Sequence, residues 1–250
     1  MTGRLWVVGL GPGDASLQTP QATVALADVS DIVGYAPYLE RIPPRPGQSR
    51  HGSDNRVEPE RARHALGLAA AGRRVAVVSG GDPGVFAMAS VVFEAVESGP
   101  PSWRELDIEV VPGISAMFAA AARIGAPLGH DFCAISLSDL LTPWPTIRTR
   151  LEAAALGDFV VALYNPRSAR RATRLAEAAA ILLAQRDPAT PALIARNLGR
   201  DGETWRVATL AALADAEIDM LTIVIVGSRK TRLTRTGPPR LYTPRGYRRK

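Results

Sequence analysis

Residues 74–89, RVAVVSGGDPGVFAMA, decide the fold of this chain. The run 75–78 is short, apolar and rich in β-branched side chains, which predicts a buried strand. Residues 79–84 then break regular structure, because glycine tolerates φ > 0 and lets other atoms approach the main chain. Pro83 suits a first helical turn, so a helix is predicted over residues 85–96. A strand, a glycine turn and a helix place that turn at the carboxyl edge of a sheet, where α/β folds bind ligands. A tight connection without a ligand is the alternative.

The composition is that of a globular protein, with 250 residues of which 46% are apolar and 22% charged. No apolar run approaches the length of a membrane span, and no basic segment precedes an apolar one at the N-terminus. We therefore expect a cytoplasmic protein without a membrane partner. The single cysteine, Cys133, excludes a disulfide framework, and His51, His64 and His130 lack the spacing of metal ligands. No metal site is predicted.

The net charge of +6 comes from one segment. Residues 229–250 hold nine Lys and Arg side chains and no acidic ones, so the rest of the chain has 21 basic against 24 acidic residues. Nucleic-acid binding by this segment is an alternative function. The segment lacks the interleaved aromatics and the basic face of such binders, and we expect no nucleic-acid partner.

Two further turns of the same kind follow predicted strands. RLWVVGL at residues 4–10 runs into GLGPGD, which differs from a dinucleotide fingerprint because Asp14 stands where a glycine is needed. Pro12 also removes an N–H that could bind pyrophosphate, which disfavours a nicotinamide oxidoreductase. A strand at 108–111 leads into PGISA, where Ser115 is a ligand residue or simply a helix N-cap. The three turns should line one edge of the sheet.

The remaining chain continues the α/β alternation. Helices are predicted over residues 20–27, 58–71, 147–155 and 169–185, and strands over 31–34, 132–137, 159–163, 192–196, 204–207 and 221–226. Residues 42–56 are expected to form a surface loop. Tyr35 and Tyr38 flank a proline and form either an apolar wall with hydroxyl groups or a packed loop. We expect a domain at residues 1–124, a second at 125–228 and a basic tail at 229–250.

These motifs resemble those of the tetrapyrrole methylases, which use S-adenosylmethionine. The resemblance is carried by VVGLGPGD (7–14), SGGDPGVFAMA (79–89) and VVPGISAMFAAA (110–121). It covers nearly the whole chain. The stretches that resemble the members acting on corrin precursors are GHDFCAISLSDLLTPW (129–144), LYNPRSARR (163–171), IARNLGRDGE (194–203), DMLTIVIVGS (219–228) and TPRGY (243–247).

The resemblance implies two α/β domains with the active site in the cleft between them, assembled as a homodimer. It implies that S-adenosylmethionine lies between the domains and is held largely by main-chain atoms. A cofactor without phosphates agrees with the presence of Pro12 and Asp14 in the first turn. The residues that match cofactor-binding positions are Pro12, Gly80, Gly81, Asp82, Val85, Ser115, Ala116, Tyr164, Asn197, Leu198 and Thr222.

The implied reaction is methylation of C17 of a tetrapyrrole together with contraction of its ring; another ring position or a cobalt-containing substrate is the alternative. Contraction requires movement of a proton, so an acid/base group is expected. Asp14 and His130 are the candidates, with Asp139 behind them. An N-cap or a junction hydrogen bond is the alternative role of His130. Arginines should bind the substrate's carboxylates. The predicted substrate-binding residues are Tyr35, Tyr38, Asp139, Arg167, Arg170, Arg171 and Arg196.

Overall fold

The computed structural model describes residues 3–55, 57–167 and 172–246. The chain groups into two compact units, Met1–Ala116 and Met117–Lys250. This grouping places residues 117–124 and the segment after residue 228 in the second unit, which differs from the domains 1–124, 125–228 and 229–250 expected from sequence. Those domain boundaries stay predictions. Each unit contains a five-stranded sheet with helices, so the α/β class is confirmed.

The first unit is built on a parallel sheet. Its strand order is β3-β2-β4-β1-β5, and every neighbouring pair is parallel. The strand predicted at residues 75–78 is therefore the central one, β4. The elements are β1 (Arg4–Gly9), α1 (Pro20–Asp28), β2 (Asp31–Tyr35), α2 (Ala36–Leu39), β3 (Ser49–Ser53), α3 (Glu58–Ala70), β4 (Arg74–Ser79), α4 (Met88–Ser98) and β5 (Asp107–Val111).

Both faces of this sheet are covered, which explains its continuous apolar strands. Alternate residues of a strand point to opposite faces. Val75 and Val77 pack in a core with residues of α3 and α4, while Ala76 and Val78 pack on the other face with residues of α1. Since a strand buried on both faces has no polar alternation, its sequence is a plain apolar run.

Two predicted elements of this unit differ in the structure. The expected loop over residues 42–56 contains the edge strand β3, which pairs with β2 through main-chain bonds that its polar side chains do not reveal. Helix α4 begins at Met88 rather than at residue 85. The delay arises because Phe86 has φ = 52°, a left-handed conformation that is rare for a bulky side chain and incompatible with a helix.

The second unit has a mixed sheet of order β10-β9-β11-β8-β7. Strands β7, β8 and β9 run in one direction, and β10 and β11 run in the other. Side chains of α6 and α7 form its core with Leu163, Ile194 and Val224. The elements are α5 (Ala116–Ile124), β6 (Gly125–Ala126), β7 (Phe132–Ser136), α6 (Trp144–Leu156), β8 (Val160–Tyr164), α7 (Arg174–Leu183), β9 (Pro191–Arg196), β10 (Thr204–Thr209), β11 (Thr222–Val226), β12 (Arg232–Leu233) and β13 (Leu241–Tyr242).

The basic segment expected to be a tail is partly built into this unit. Strand β13 pairs with β12 and with β6 in a small third sheet. Leu241 is fully buried, and the Thr243 hydroxyl donates to the carbonyl of Pro127 at 2.6 Å. No helix in the described part of the chain combines the length and apolarity needed to cross a bilayer.

Candidate functional site

The three glycine turns of the first unit meet at the carboxyl edge of its sheet. Strands β1, β4 and β5 are neighbours, so the turns that follow them lie side by side. The N–H of Gly11 donates to the carbonyl of Gly81 at 3.1 Å, and the N–H of Gly81 donates back to Gly11 at 2.8 Å. The first and second turns are thus joined through their main chains.

Glycines make this close approach possible. A Cβ on Gly113 would lie 2.2 Å from the Gly81 carbonyl oxygen, and one on Gly9 would lie 2.7 Å from the Gly113 nitrogen. Gly81 is different, because the nearest atom to its Cβ position is the Cα of Ser115 at 3.8 Å, with Ala116 next. Gly81 needs to be glycine for its φ of +70°, and a Cβ there would meet two other predicted cofactor residues, Ser115 and Ala116, only at ordinary contact distance.

Asp82 connects the second and third turns. Its Oδ1 accepts from the N–H of Gly84 at 2.8 Å, and its Oδ2 accepts from the N–H of Gly113 at 3.0 Å. Both carboxylate oxygens therefore bind the protein's own main chain. This geometry gives Asp82 a positioning role in the edge.

The first turn is held by an arginine that the sequence analysis missed. Nη2 of Arg41 lies 2.9 Å from each of three carbonyl oxygens, those of Leu10, Gly11 and Gly13. Asp14 is exposed at the end of this turn, and its Oδ1 accepts from the N–H of Ser16 at 2.7 Å. No sequence motif links Arg41 to the turn, since it follows α2 after a separate strand.

Two predicted substrate residues border the same edge. The rings of Tyr35 and Tyr38 pack edge to face with centroids 5.3 Å apart. A Cβ on Gly80 would lie 2.9 Å from the Tyr38 ring, so this ring covers the glycine. The structure therefore brings Tyr38 together with the predicted cofactor turn.

The predicted site residues of the second unit share one edge of its sheet. Tyr164 ends β8, and Asn197 and Leu198 directly follow β9. Thr222 begins the antiparallel strand β11 and pairs with Arg196. The Tyr164 hydroxyl accepts from the N–H of Met117, near the start of α5, at 3.1 Å. The four residues come from three strand ends.

Strained backbone marks this edge. Asn165 and Asn197 have φ of 50° and 56°, a left-handed region that few non-glycine residues occupy and that asparagine tolerates best. The side-chain amide of Asn165 donates to the Ser136 hydroxyl at 3.0 Å, which links the ends of β8 and β7. Such conformations concentrate at functional sites.

Acidic groups at this edge are paired with arginines. Arg196 donates to Asp219 at 2.8 Å, and the Thr222 hydroxyl donates to the same carboxylate at 2.9 Å. Burial opposes ionisation of Asp219, but the hydrogen bonds from Arg196, Thr222 and the Leu221 N–H outweigh it and lower its pKa. The predicted substrate ligand Arg196 is thus already half of an ion pair, with its side chain still partly exposed.

Arg174 pairs with the predicted substrate residue Asp139. Its Nη2 lies 2.9 Å from Asp139, its Nη1 lies 2.9 Å from Glu177, and its guanidinium stacks 4.3 Å from the Trp144 ring centroid. Partial burial opposes the charge, but the bonds to Asp139 and Glu177 outweigh it and raise the pKa of Arg174 above its usual value. Sequence reasoning missed Arg174, since its partners are up to 35 residues away.

The other predicted residues are not all brought to this edge. His130 precedes β7 and so lies at the opposite edge of that sheet, where its Nδ1 accepts from the N–H of Asp131 at 2.7 Å. Arg167 follows Asn165 in the segment that leaves β8. Arg170 and Arg171 lie outside the described residues. Within residues 3–55, 57–167 and 172–246, no three His, Cys, Asp or Glu side chains are grouped to hold a metal ion.

Comparisons with known proteins agree with these motifs. The family model "Tetrapyrrole (Corrin/Porphyrin) Methylases" matches residues 4–214. The chain is 51% identical over 249 residues to a precorrin-3B C(17)-methyltransferase of Sinorhizobium sp, covering 99% of this chain and 98% of that one. It is 42% identical to a probable cobalt-factor III C(17)-methyltransferase of Salmonella typhimurium, covering 97% and 99%.

A solved structure shares the fold. The crystal structure of the methyltransferase CobJ superposes with a TM-score of 0.90 at 51% identity, covering 97% of this chain and all of that one. The likeness extends through both units.

Proposed function

The chain belongs to the tetrapyrrole methylases, and from this premise we propose that it methylates C17 of precorrin-3B and contracts the macrocycle to precorrin-4. It is a methyltransferase of cobalamin biosynthesis, and its cofactor is S-adenosylmethionine. The assignment of the substrate rests on the near full-length similarity to a precorrin-3B C(17)-methyltransferase. The cobalt-containing substrate is the second candidate, favoured by the similarity to the Salmonella protein.

The edge of the first sheet fits this cofactor. When bound, S-adenosylmethionine supplies a methyl group activated by a sulfonium, and it has no phosphates for Asp14 to repel. The main chain at Gly81 is only partly buried, and we propose that it contacts the cofactor beside Ser115 and Ala116, which lie 3.8 Å or more from its Cβ position. We assign cofactor binding to these three residues with Pro12, Gly80 and Val85, and a positioning role to Asp82 because both its oxygens bind main-chain N–H groups.

The second unit is proposed to supply further contacts from its polar sheet edge. Tyr164, Asn197, Leu198 and Thr222 are candidates for the cofactor, and their grouping at three strand ends supports this role. Arg167 and Arg196 are candidates for the substrate's carboxylates, with Tyr35 and Tyr38 against its rings. Holding the reactants in line is the main task of these residues, since alignment alone can contribute about 7–11 kcal/mol to a barrier.

Asp14 is the proposed proton carrier for contraction. It ends the first turn, which is joined to the Gly81 turn by main-chain hydrogen bonds, and it is exposed. His130 is the less favoured candidate, because it lies at the opposite edge of its own sheet from Tyr164 and Thr222. A homodimer in the cytoplasm is also proposed, and light scattering should give twice the 26.6 kDa of one chain.

The test is anaerobic turnover with isotopically labelled S-adenosylmethionine. Precorrin-3B and cobalt-factor III are incubated side by side with the protein, and the products are analysed by mass spectrometry and NMR. Labelled methyl at C17 of a contracted ring is expected with precorrin-3B. Faster turnover of the cobalt form would move the assignment to the second candidate, and methylation of neither would reject both.

A further inference from the structure

Two exposed leucines lie in the segment between β7 and α6. Leu140 is 63% exposed and Leu141 is 97% exposed, although leucine is one of the most commonly buried residues. They stand next to each other in the sequence, so together they form a small apolar projection. Nothing in the core of the second unit uses it.

This projection starts from the polar edge of the second sheet. The N–H of Leu137 donates to the carbonyl of Tyr164 at 2.9 Å, so the segment leaves the sheet directly beside the end of β8. A fully extended chain advances about 3.5 Å per residue. Leu140 and Leu141 therefore lie within roughly 11 and 14 Å of Leu137, at the edge that carries the candidate ligand residues.

Arg174 holds both ends of the projection. Its guanidinium pairs with Asp139, directly before the leucines, at 2.9 Å. The same guanidinium stacks on Trp144, three residues after them, at 4.3 Å from the ring centroid. A third contact, the pair with Glu177 three residues later in α7, holds the guanidinium against its own helix at 2.9 Å. Arg174 therefore fixes the chain on both sides of the two exposed leucines.

We propose that Leu140 and Leu141 contact the apolar face of the tetrapyrrole substrate, and that Arg174 is the positioning residue that presents them. This inference rests on the proposed function. A tetrapyrrole has flat apolar faces and a rim of carboxylates, so leucines suit its face while arginines such as Arg167 and Arg196 suit its rim. The substrate is favoured over a second protein, because the leucines lie at the sheet edge that carries the candidate ligand residues Tyr164, Asn197 and Thr222.

The first experiment compares Leu141→Ala with Leu156→Ala in the full-length protein. Leu156 is a matched control: it is 76% exposed, but it ends α6, roughly 18 Å along the helix from Trp144. We expect Leu141→Ala to raise the KM for the tetrapyrrole about tenfold, as loss of an apolar contact does. The affinity for S-adenosylmethionine, measured by calorimetry, should stay within twofold, and Leu156→Ala should match the wild type.

Other outcomes have defined meanings. An unchanged KM in Leu141→Ala overturns the inference, as does a change in oligomeric mass with no change in KM, which would assign the leucines to a protein interface. Wild-type protein that methylates no tetrapyrrole rejects the proposed function itself, and this result is seen before any variant is compared.

The second experiment tests Arg174 through a double-mutant cycle. Arg174→Gln should raise KM by a factor similar to that of Leu141→Ala with little change in kcat. The double variant should be no worse than the poorer single variant, because both changes remove one contact. Effects on KM that multiply would show that Arg174 acts independently of the leucines. If Arg174→Gln fails to fold, Arg174→Lys, which keeps a charge for Asp139, takes its place in the cycle.

Discussion

Changing Asp82 to asparagine separates a positioning role from direct contact with the cofactor. In the structure each carboxylate oxygen accepts one main-chain hydrogen bond, from Gly84 and from Gly113. An asparagine keeps one acceptor and replaces the other with an NH₂ group. Whichever way the amide is turned, one of the two N–H groups then faces another donor. Asp82→Asn therefore removes one of the two links.

The size of the effect follows from that single lost bond. A hydrogen bond to a charged group contributes about 1.5–3 kcal/mol, and the lower end applies because Asp82 is only partly buried. We expect the free energy of unfolding to fall by about 1.5 kcal/mol. Since the third turn borders Gly81, the dissociation constant for S-adenosylmethionine should rise about tenfold, the equivalent of about 1.4 kcal/mol.

Denaturant unfolding and titration calorimetry measure the two quantities on the same protein. Asp187→Asn is the matched control, because Asp187 accepts a hydrogen bond from the N–H of Ala189 at 2.7 Å in a turn of the same kind. Within the described residues, no second turn donates to the Asp187 side chain. It should change neither quantity by more than about 0.5 kcal/mol. An Asp82→Asn protein as stable as the wild type would refute this reasoning, and weaker binding without lost stability would assign Asp82 to the cofactor directly.

Three further changes have defined outcomes. Gly81→Ala and Gly47→Ala should each lower the free energy of unfolding by about 1–2 kcal/mol, because both glycines have positive φ and neither added Cβ would meet an atom closer than 3.8 Å. Only Gly81→Ala should weaken cofactor binding in calorimetry, and equal affinities would remove Gly81 from the site. Asp31, 2% exposed, has its pKa lowered to about 2: burial opposes ionisation, but hydrogen bonds from Arg73, Ser30 and His51 outweigh it. Asp31→Asn should therefore lower the free energy of unfolding by about 2 kcal/mol at pH 7. In urea unfolding at several pH values, the difference from the wild type should shrink as the pH falls from about 4 to about 2. A difference that stays constant would disprove the link between the pKa and stability. Asp14→Asn should slow the formation of contracted product at least tenfold, whereas the rate of His130→Gln should stay within about twofold of the wild type. Both rates are measured by product analysis under single turnover. The reverse order of the two rates would identify His130 as the proton carrier.

The parts of the fold that the sequence predicts are those set by local pattern. Residues 75–78 predict a strand because both faces are covered, so burial alone dictates the residue types. Glycines predict the three turns because main chains meet there at distances that no Cβ allows. Strand β3 has neither signal: its polar sequence becomes a strand only because β2 offers a parallel edge.

The residues that sequence reasoning missed act through contacts across long separations. Arg41 binds a turn about 30 residues before it, and Arg174 binds Asp139, which lies 35 residues before it. An arginine in a loop or at a helix start is ordinary by itself, and only the folded chain identifies its partners. The same holds for His130, which its residue type and its place beside a predicted domain junction make a candidate acid/base group. The direction of β7 instead places it away from the edge that carries Tyr164.

The pairing of acids with arginines makes chemical sense of Asp139 near a polycarboxylate substrate. An unpaired carboxylate at the second-sheet edge would repel such a molecule. Asp219 is paired with Arg196, whereas Asp139 shares Arg174 with Glu177, so Arg174 offsets the charge of Asp139 in part. Because Arg196 remains partly exposed beyond its ion pair, it keeps donor capacity for an incoming carboxylate. The proposal gives Asp139 the task of fixing the Leu140–Leu141 segment through Arg174, and its position in the sequence alone does not distinguish this task from substrate binding.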